Sequence, residues 1–420
     1  MVIGLLSMMS FQLVDSIFIG RLGVEPLAIA GYTIPIYQLI IGFQVGIGIA
    51  TTALISQHLG AGNEDEAKAL ATTILAVGSA VIASLSLLIW FFRAQVLSLL
   101  GADLALLPLA EELWRIFLIS SVVGAFLYFG YSICRAHGNT LLPGIGMVIT
   151  SLLNIALDPL FIFYFELGLA GAAYATLCSF GLGILLTFPR IMRERWIELC
   201  AHGYSRLQHT KAILTIAIPA MTSQMMPAAA AVGATYLVSS FGTEVVAAWG
   251  MGTRIEFFSI VLVLALTMSL PPMIGRNFGS GDYHQIDATV RLAMKFVLGW
   301  QLLLAIAGFS FAKELSTVMS GRPEVAESLF WIIVLIPFSY GFLGVCMICV
   351  SVCNAIASPQ RALWISFARL FMFYLPCLYL GAYFYDEQGL FAGAAIGNVG
   401  AGIFGWHLYR QRLNILMGKT

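Results

Sequence analysis

The feature that most limits how this chain can fold is a succession of long apolar segments with few charges between them. Of its 420 residues, 60% are hydrophobic and 10% are charged, whereas soluble domains carry roughly 25% charged residues. An apolar run of about 20 residues can cross the hydrocarbon core of a bilayer as a helix. Twelve such runs follow one another, at residues 1–21, 26–57, 69–92, 113–134, 141–165, 168–189, 212–240, 244–275, 288–312, 327–353, 361–384 and 389–409. We therefore predict an all-α polytopic membrane protein with twelve transmembrane helices, surrounded by the lipid bilayer.

Basic residues indicate the orientation of such a protein, because loops rich in Lys and Arg stay in the cytoplasm. If the N-terminus is cytoplasmic, the inner loops and the C-terminal tail hold most of the basic side chains. The Arg- and Glu-rich stretch Arg190–Lys211 is then a cytoplasmic linker at the midpoint of the chain. We predict a multi-pass protein of the cytoplasmic (inner) membrane with both termini in the cytoplasm.

Charge and cysteine content narrow the range of functions. The 21 basic and 21 acidic residues give a formal net charge of zero, which argues against a nucleic-acid partner. The seven cysteines lie mostly in apolar segments, a pattern that does not indicate a disulfide framework. The sequence offers neither a cluster of His with acids nor a nucleophile beside a base. We expect no enzymatic activity and no cofactor, and we expect a monomer.

The two halves of the chain match each other at a constant spacing. The matched pairs at loop ends, all separated by the same number of positions, are Gly23 with Gly242, Gly60 with Gly279, Gly62 with Gly281 and Ala136 with Ala355. Such a spacing predicts a duplicated unit, here two pseudo-symmetric six-helix lobes, an N-lobe of residues 1–200 and a C-lobe of residues 201–420. Because Pro219 of the second half maps to a position before Met1, we expect the first helix to lack its beginning.

Polar side chains inside the apolar segments are the candidates for function. Asn154 and Asp158 are one helical turn apart and share a face, and Thr176 follows after a glycine-marked bend. The first segment supplies another acid, Asp15. A carboxylate in a lipid-spanning helix costs about 2.5–3.5 kcal/mol on insertion scales, so it is a functional candidate by default.

Depth in the membrane supports grouping these residues. At about 1.5 Å per residue, Asp15, Asp158 and Thr176 all lie roughly 9–12 Å below the outer surface. The repeat maps Asp15 to Ala234, so this acid occurs in one lobe only, which symmetric packing would not require. For Asn154 and Thr176, a simple helix–helix contact stays an open alternative. We predict a cation site at Asp15, Asn154, Asp158 and Thr176, for H+ or for Na+ held by the same four residues.

Two further residues could contribute to function. Pro159 follows Asp158 and lacks a backbone N–H, so we expect a kink that aims a free carbonyl oxygen at a cation; a merely tolerated proline is the alternative. Glu256 is the candidate for a C-lobe role. Counting residues places it and Arg254 near the outer end of the eighth segment, where charged side chains reach the interface. Arg369 is expected to be an interface anchor or a packing charge.

Short motifs spread over nearly the whole chain carry a resemblance to a known family. They are Val14-Asp15-Ser-Ile-Phe-Ile-Gly20-Arg21-Leu22-Gly23, the turns Gly60-Ala-Gly62 and Gly279-Ser-Gly281, Arg135-Ala-His-Gly-Asn139, and Asn154-Ile-Ala-Leu-Asp158-Pro159. In these motifs the chain resembles the multidrug and toxin extrusion (MATE) transporters. The resemblance implies twelve helices in two six-helix lobes around a V-shaped cleft. It also implies export of amphipathic, often cationic, compounds in exchange for inward H+ or Na+.

The resemblance also bears on the site residues. It places the N-lobe cation site on the same four residues, Asp15, Asn154, Asp158 and Thr176. Some members add acids in the seventh and tenth helices, but residues 214–240 and 328–353 of this chain hold none. This departure makes a C-lobe cation site doubtful and suggests similarity to the DNA-damage-inducible F-like branch.

Two other functions compete with the export of drugs. A flippase for lipid-linked saccharides needs a strongly cationic cleft for pyrophosphate, and the N-lobe segments hold no interior Lys or Arg. A membrane enzyme or receptor would need catalytic groups or a soluble domain, and the longest stretch outside the segments is the midpoint linker. We therefore predict a cation-coupled antiporter that works on small amphipathic substrates, with the flippase as the alternative.

Overall fold

The computed structural model describes residues 1–198 and 206–418, and within these ranges the chain is helical with no strand. Eleven helical stretches there are long and apolar enough to cross a membrane. The last of them, Pro359–Leu416, leaves the helical conformation at Tyr385 and Asp386. It therefore makes two passes. The predicted all-α membrane protein with twelve transmembrane helices is confirmed.

The chain forms two compact units, Met1–Met221 and Thr222–Thr420. The helices that begin in the first unit are α1 (Val2–Gly20), α2 (Val24–Gly60), α3 (Glu64–Phe91), α4 (Arg93–Leu99), α5 (Leu107–Ala136), α6 (Leu141–Pro159), α7 (Gly168–Arg193) and α8 (Arg206–Ser239). A π-helix, Leu160–Tyr164, continues α6. The division between the units falls inside α8. The predicted lobe boundary at residues 200 and 201 lies outside the described residues.

The second unit contains shorter, more interrupted helices. They are α9 (Thr243–Ser259), α10 (Val261–Gly279), α11 (Tyr283–Ser310), α12 (Ala312–Met319), α13 (Pro323–Leu335), α14 (Tyr340–Ala355), α15 (Pro359–Phe367) and α16 (Leu375–Leu416). A π-helix, Ala368–Tyr374, joins α15 to α16. Each unit has its own apolar core of buried side chains.

The order of elements in the second unit repeats that of the first at the spacing found in the sequence. Helix α11 begins and ends at the repeat positions of α3, and the short helix α12 begins at the repeat position of α4. The turns also repeat: Gly62 and Gly281 adopt nearly the same left-handed φ, 78° and 76°. Positive φ favours glycine because it has no Cβ. The chain therefore carries a structural repeat of one six-pass unit.

Helix breaks in the second unit are the main departure from the predicted segments. The segment predicted at 244–275 is divided at Ile260 into α9 and α10. No proline causes this break. Instead, the Gln301 side chain donates a hydrogen bond of 2.9 Å to the carbonyl oxygen of Ser259, which offers that carbonyl a partner from another helix. The segment predicted at 327–353 is divided by a 3₁₀ turn at Pro337–Ser339, where the proline lacks a backbone donor.

Close contacts between glycines and neighbouring backbone hold α1, α6 and α7 together. A Cβ on Gly4 would lie 3.0 Å from the carbonyl oxygen of Gly144, in α6. A Cβ on Gly171, in α7, would lie 2.8 Å from the backbone nitrogen of Ile162. Only a small residue allows helices to approach so closely. These contacts bring the polar residues of the first unit within reach of one another.

Candidate cation site

Helix α6 carries Asn154 and Asp158 on its buried face. Asp158 is completely buried, and Asn154 is 3% exposed. The side chains are four residues apart, so they lie one above the other on the helix. The structure therefore places a carboxylate and an amide inside the first unit and away from lipid.

A hydrogen-bond chain joins Asn154 to α7. In one amide orientation, Asn154 Nδ2 donates to Thr176 Oγ1 at 3.1 Å. In the other, Nδ2 donates to Asp158 Oδ2 at 3.2 Å and Oδ1 accepts from Thr176 Oγ1 at 3.1 Å. The second orientation gives both ends of the amide a partner, so it is the one consistent with an ionised Asp158. Asn154 thus lies between Thr176 and Asp158.

Asp15 approaches this group from α1, which packs along α6. It is partly buried, and its carboxylate lies within electrostatic reach of Asp158. One oxygen of each acid, Oδ1 of Asp15 and Oδ1 of Asp158, is buried with no hydrogen-bond partner among the described residues. Neither acid forms a salt bridge there. Buried oxygens without a partner are uncommon and call for an explanation, and a bound proton or small cation would supply one.

The site contains only oxygen donors: two carboxylates, an amide and a hydroxyl. Oxygen ligands suit hard cations rather than transition metals. Among the described residues no group of three or more His, Cys, Asp or Glu could hold a metal ion. The donor set therefore fits a proton or a hard cation such as Na+.

The backbone changes at Pro159, directly after Asp158. Helix α6 ends there and the π-helix Leu160–Tyr164 follows. Short π-helical turns occur frequently at functional sites. The carbonyls of Leu160 and Phe161 accept bonds from the backbone of the turn that follows. The direct role of a Pro159 carbonyl in holding a cation stays a prediction.

A small cavity adjoins the site in the first unit. Asn154 and Thr176 form part of its wall, together with Met8, Phe11, Thr150, Ser151, Ser179 and Phe180. Ser151 is 2% exposed, and its Oγ has no partner among the described residues. Sequence reasoning missed Ser151, although its spacing from Asn154 and Asp158 follows one helix face. That spacing could have revealed it.

Glu256 corrects an expectation from the sequence. Helix α9 begins at Thr243, so Glu256 lies thirteen residues inside it, about 20 Å along the axis at about 1.5 Å per residue. The residue lines an internal pocket of the second unit with Tyr340 and Tyr374, whereas Arg254 is exposed. The expectation that the Glu256 side chain reaches the interface was wrong, because this face of the helix packs inward.

Arg369 was expected to be an interface anchor or a packing charge. It lies in the π-helix Ala368–Tyr374, within electrostatic reach of Glu256. Among the described residues it forms no salt bridge with that acid. This position is the one expected of a packing charge, and a direct role of Arg369 stays a prediction.

Comparison with known proteins agrees with this fold. The fold, with twelve transmembrane helices in two repeated units, is that of the polytopic membrane transporters. The sequence model of the MatE family matches residues 1–160 and 208–380. The chain therefore belongs to the MATE family of transporters, as its motifs indicated. Its assignment to the DNA-damage-inducible F-like branch stays a prediction.

Individual relatives span nearly the whole chain. A solved structure of the Vibrio cholerae MATE transporter VcmN in the bent form is 48% identical, with a TM-score of 0.97, and the match covers 99% of this chain and 95% of that one. A protein of Shewanella oneidensis named FAD transporter is 32% identical over 97% of this chain and 92% of its own length. A probable multidrug resistance protein of Bacillus subtilis, YpnP, is 25% identical over 92% of this chain and 87% of its own.

Proposed function

We propose that this protein is a cation-coupled antiporter that exports amphipathic, often cationic, compounds by alternating access. The observation that carries the proposal is the pairing of Asp15 with Asp158 in the first unit, each with a buried oxygen that lacks a partner among the described residues. Binding apolar cargo does not require two carboxylates in a membrane, where each is costly. A bound coupling cation would offset that cost by neutralising their charge.

The proposed cycle uses the packing of α1 against α6. Two nearby carboxylates repel each other, and a proton or Na+ bound between Asp15 and Asp158 would remove that repulsion. Helix α1 could then shift or bend against α6, reduce the space available to cargo in this lobe and expel the cargo outward. Release of the cation inward resets the cycle. Because coupling between two ligands is reciprocal, cargo binding would in turn weaken cation binding.

Asn154 and Thr176 would position Asp158 and complete the ligand set. A proton needs a single carboxylate, whereas Na+ needs several oxygen ligands at once. The amide and hydroxyl therefore matter most if the coupling ion is Na+. Both ions fit the donor set, and the transport assay below separates them.

The cargo has two candidates. Amphipathic cations or neutral aromatics fit a site region with acids and no interior Lys or Arg in the N-lobe segments. The second candidate is a flavin dinucleotide, favoured by the similarity to a protein named FAD transporter. Its pyrophosphate is anionic and would require cationic groups. A flippase for lipid-linked saccharides, which also carry pyrophosphate, stays the less favoured alternative.

Transport by the purified protein in proteoliposomes tests the proposal. A pH gradient and a Na+ gradient are imposed separately, and an organic cation dye and FAD are offered in turn as cargo. We expect uptake of the dye with one of the two gradients. If only FAD is taken up, the cargo is a flavin and not a drug. If neither the dye nor FAD is transported with a gradient, the proposed antiporter is wrong.

The orientation is part of the proposal. We propose a protein of the cytoplasmic membrane with both termini and the Arg190–Lys211 linker inside, acting as a monomer. In a variant without native cysteines, an impermeant thiol reagent should label a cysteine at Glu166 or Glu387 from outside, but not one at Arg195 or Lys419. Labelling at Arg195 from outside would reverse the orientation. Lys419 and residues 199–205 of the linker lie outside the described residues.

A further inference from the structure

Two arginines of the second unit lie near each other where α14 ends, α15 begins and α16 ends. Arg361 is in the first turn of α15, and its Nη1 donates a hydrogen bond of 3.4 Å to the carbonyl oxygen of Leu408, in α16. Arg412 follows Leu408 by four residues, so it lies on the same face of α16, one turn further on. Both arginines are within electrostatic reach of Cys353, in α14. The two guanidinium groups therefore occupy one region.

No acid balances these two charges in the part of the chain that the structure describes. Neither Arg361 nor Arg412 forms a salt bridge there, and Arg412 Nε is buried without a hydrogen-bond partner among the described residues. Segments 354–366 and 402–418 together contain three arginines and no Asp or Glu. Asp287, which approaches α16 from α11, is shared by Arg291 and Arg410. The region is therefore positively charged, and a buried donor without a partner calls for an explanation.

The start of α15 adds to this positive potential. The N-cap, Ser358, does not cap the helix through its side chain. At the repeat position in the first unit, the Asn139 side chain accepts a hydrogen bond of 3.0 Å from the backbone N–H of Leu142 and so caps α6. Leu142 is itself the repeat counterpart of Arg361. Since the N-terminus of a helix attracts anions, one turn of α15 presents both an uncapped helix end and a guanidinium.

The counterpart of Arg412 in the first unit is neutralised. Gly171 matches Gly393 in the glycine- and alanine-rich motif that the two halves share, and counting onward equally from both glycines pairs Arg190 with Arg412. Arg190 forms a salt bridge of 2.7 Å with Glu194. The duplicated fold therefore does not need an unbalanced arginine at this position for packing.

Aromatic side chains place the two arginines at the level of the lipid headgroups. The apolar stretch Pro359–Leu416 makes two passes, so its beginning and its end lie on the same side of the membrane. Trp364, three residues after Arg361, is 60% exposed, and Trp406 lies 5.6 Å from the guanidinium carbon of Arg410. Tryptophan is enriched where a membrane protein crosses the interface between lipid and water. The charged region therefore faces headgroups on the side predicted to be cytoplasmic.

We propose that Arg361 and Arg412 form a binding site for the phosphate of an anionic phospholipid. Guanidinium groups hold phosphate oxygens with paired N–H donors, and basic pockets between transmembrane helices bind anionic headgroups. The phosphate supplies the acceptor that Arg412 Nε lacks among the described residues. A free phosphate offers the same acceptors, but the exposed Trp364 favours a ligand whose chains stay in the bilayer. Because the phosphate bridges α15 and α16, the lipid stabilises the second unit.

Binding to the purified full chain in detergent tests the site. Phosphatidylglycerol, phosphatidylcholine or inorganic phosphate is added, bound lipid is counted by native mass spectrometry, and the unfolding temperature is measured. We expect phosphatidylglycerol to bind more tightly than phosphatidylcholine and to raise the unfolding temperature. Arg361→Gln and Arg412→Gln should each weaken this binding about tenfold or more, the effect of losing one charge-assisted hydrogen bond. Arg190→Gln is the matched control and should bind as the wild type does, because Glu194 already pairs with Arg190.

The outcomes distinguish a built site from a general attraction to positive charge. Unchanged binding of phosphatidylglycerol in both Arg361→Gln and Arg412→Gln would overturn the proposal, and so would an equal loss in Arg190→Gln. Stabilisation by inorganic phosphate that phosphatidylglycerol does not reproduce would assign a free anion and reject the lipid. The measurement involves no transport, so its result is independent of the proposed antiport.

Cross-linking tests the same site without any substitution, in case a variant does not fold. A photoreactive phosphatidylglycerol is reconstituted with the wild-type protein, and the modified peptides are identified by mass spectrometry. We expect them to come mainly from segments 354–366 and 402–418. Modification spread evenly over the helix ends on this side of the protein would contradict the proposal.

Discussion

The two halves of this protein share one architecture but differ in how their buried charges are balanced. In the first unit, Asp15 and Asp158 lie within electrostatic reach of each other without a cationic partner among the described residues. In the second, Glu256 has Arg369 within reach. In the proposed function the first arrangement attracts a cation, since two like charges lie in a poorly solvated region. The second is balanced without a ligand. The two units therefore share an architecture, while the charges around their buried acids differ.

The largest expected effect is a loss of transport when either acid of the first unit is replaced. Asp15→Asn and Asp158→Asn should each abolish gradient-driven export, because each removes a carboxylate that the coupling cation needs. Folding and membrane insertion should be unchanged, since an amide of the same shape replaces the acid. Rates in proteoliposomes provide the measurement, and Glu112→Gln, an exposed acid of the same unit, is the control. If Asp15→Asn keeps the wild-type rate and pH dependence, the proposed N-lobe coupling site is wrong and Glu256 is the next candidate.

A smaller effect is expected at the neutral members of the N-lobe site. Asn154→Ala breaks the link between Thr176 and Asp158. For metal sites the loss of such a supporting group typically costs about 10- to 100-fold in affinity. If the ion is Na+, Asn154→Ala and Thr176→Ala should therefore raise the Na+ concentration for half-maximal transport about tenfold or more. If the ion is H+, the change should be much smaller. Measuring the transport rate against Na+ concentration and against pH decides between the two ions. Equal, small changes in both titrations would show that Asn154 and Thr176 only make helix–helix contacts.

The sequence predicts the candidate site of the first unit more completely than the pocket of the second. Asn154 and Asp158 share a helix turn, so their spacing alone predicts one site, and the constant spacing between the halves predicts the shared architecture. The second pocket draws its wall from segments far apart in sequence, which no local pattern reveals. The break between α9 and α10 has no proline; Gln301 reaches Ser259 across the fold. The inward orientation of Glu256 was missed because an apolar run does not show which face of its helix packs inward.

Close packing at repeat-related glycines offers a third comparison. A Cβ on Gly171 would lie 2.8 Å from the π-helix backbone of the first unit, and one on Gly393 would lie still closer to the carbonyl oxygen of Cys377. Both contacts are with backbone, which cannot move aside easily. Gly171→Ala and Gly393→Ala should each destabilise their unit by about 1–3 kcal/mol, the usual range for overpacking, with Gly393→Ala the more severe. Thermal unfolding in detergent measures this. Gly181→Ala and Gly250→Ala, where a Cβ meets nothing within 4 Å, should be nearly neutral, and a loss there as large would contradict the explanation.

The smallest expected effect concerns two sets of ion pairs, one in each unit, that lie at corresponding positions of the repeat. Lys68 and Asp287 occupy matching positions of the sequence repeat, and each belongs to a set of charges near the start of its helix. Lys68 pairs with Asp65 at 2.9 Å, and the Asp65 side chain is 73% exposed. Asp287 is 18% exposed and pairs with Arg410 at 2.6 Å and with Arg291 at 2.9 Å. Exposed pairs contribute little, since water screens them and ordering long side chains costs entropy.

The comparison predicts that similar substitutions in the two units lower the unfolding temperature by different amounts. Asp65→Asn should leave the unfolding temperature in detergent unchanged. Asp287→Asn should lower it by a few degrees, because it leaves Arg410, whose side chain is 29% exposed, without its partner inside the second unit. High salt should narrow the difference by weakening the pair in the wild type. Equal unfolding temperatures of Asp287→Asn and the wild type at low salt would show that the more enclosed pair stabilises its unit no more than the exposed one.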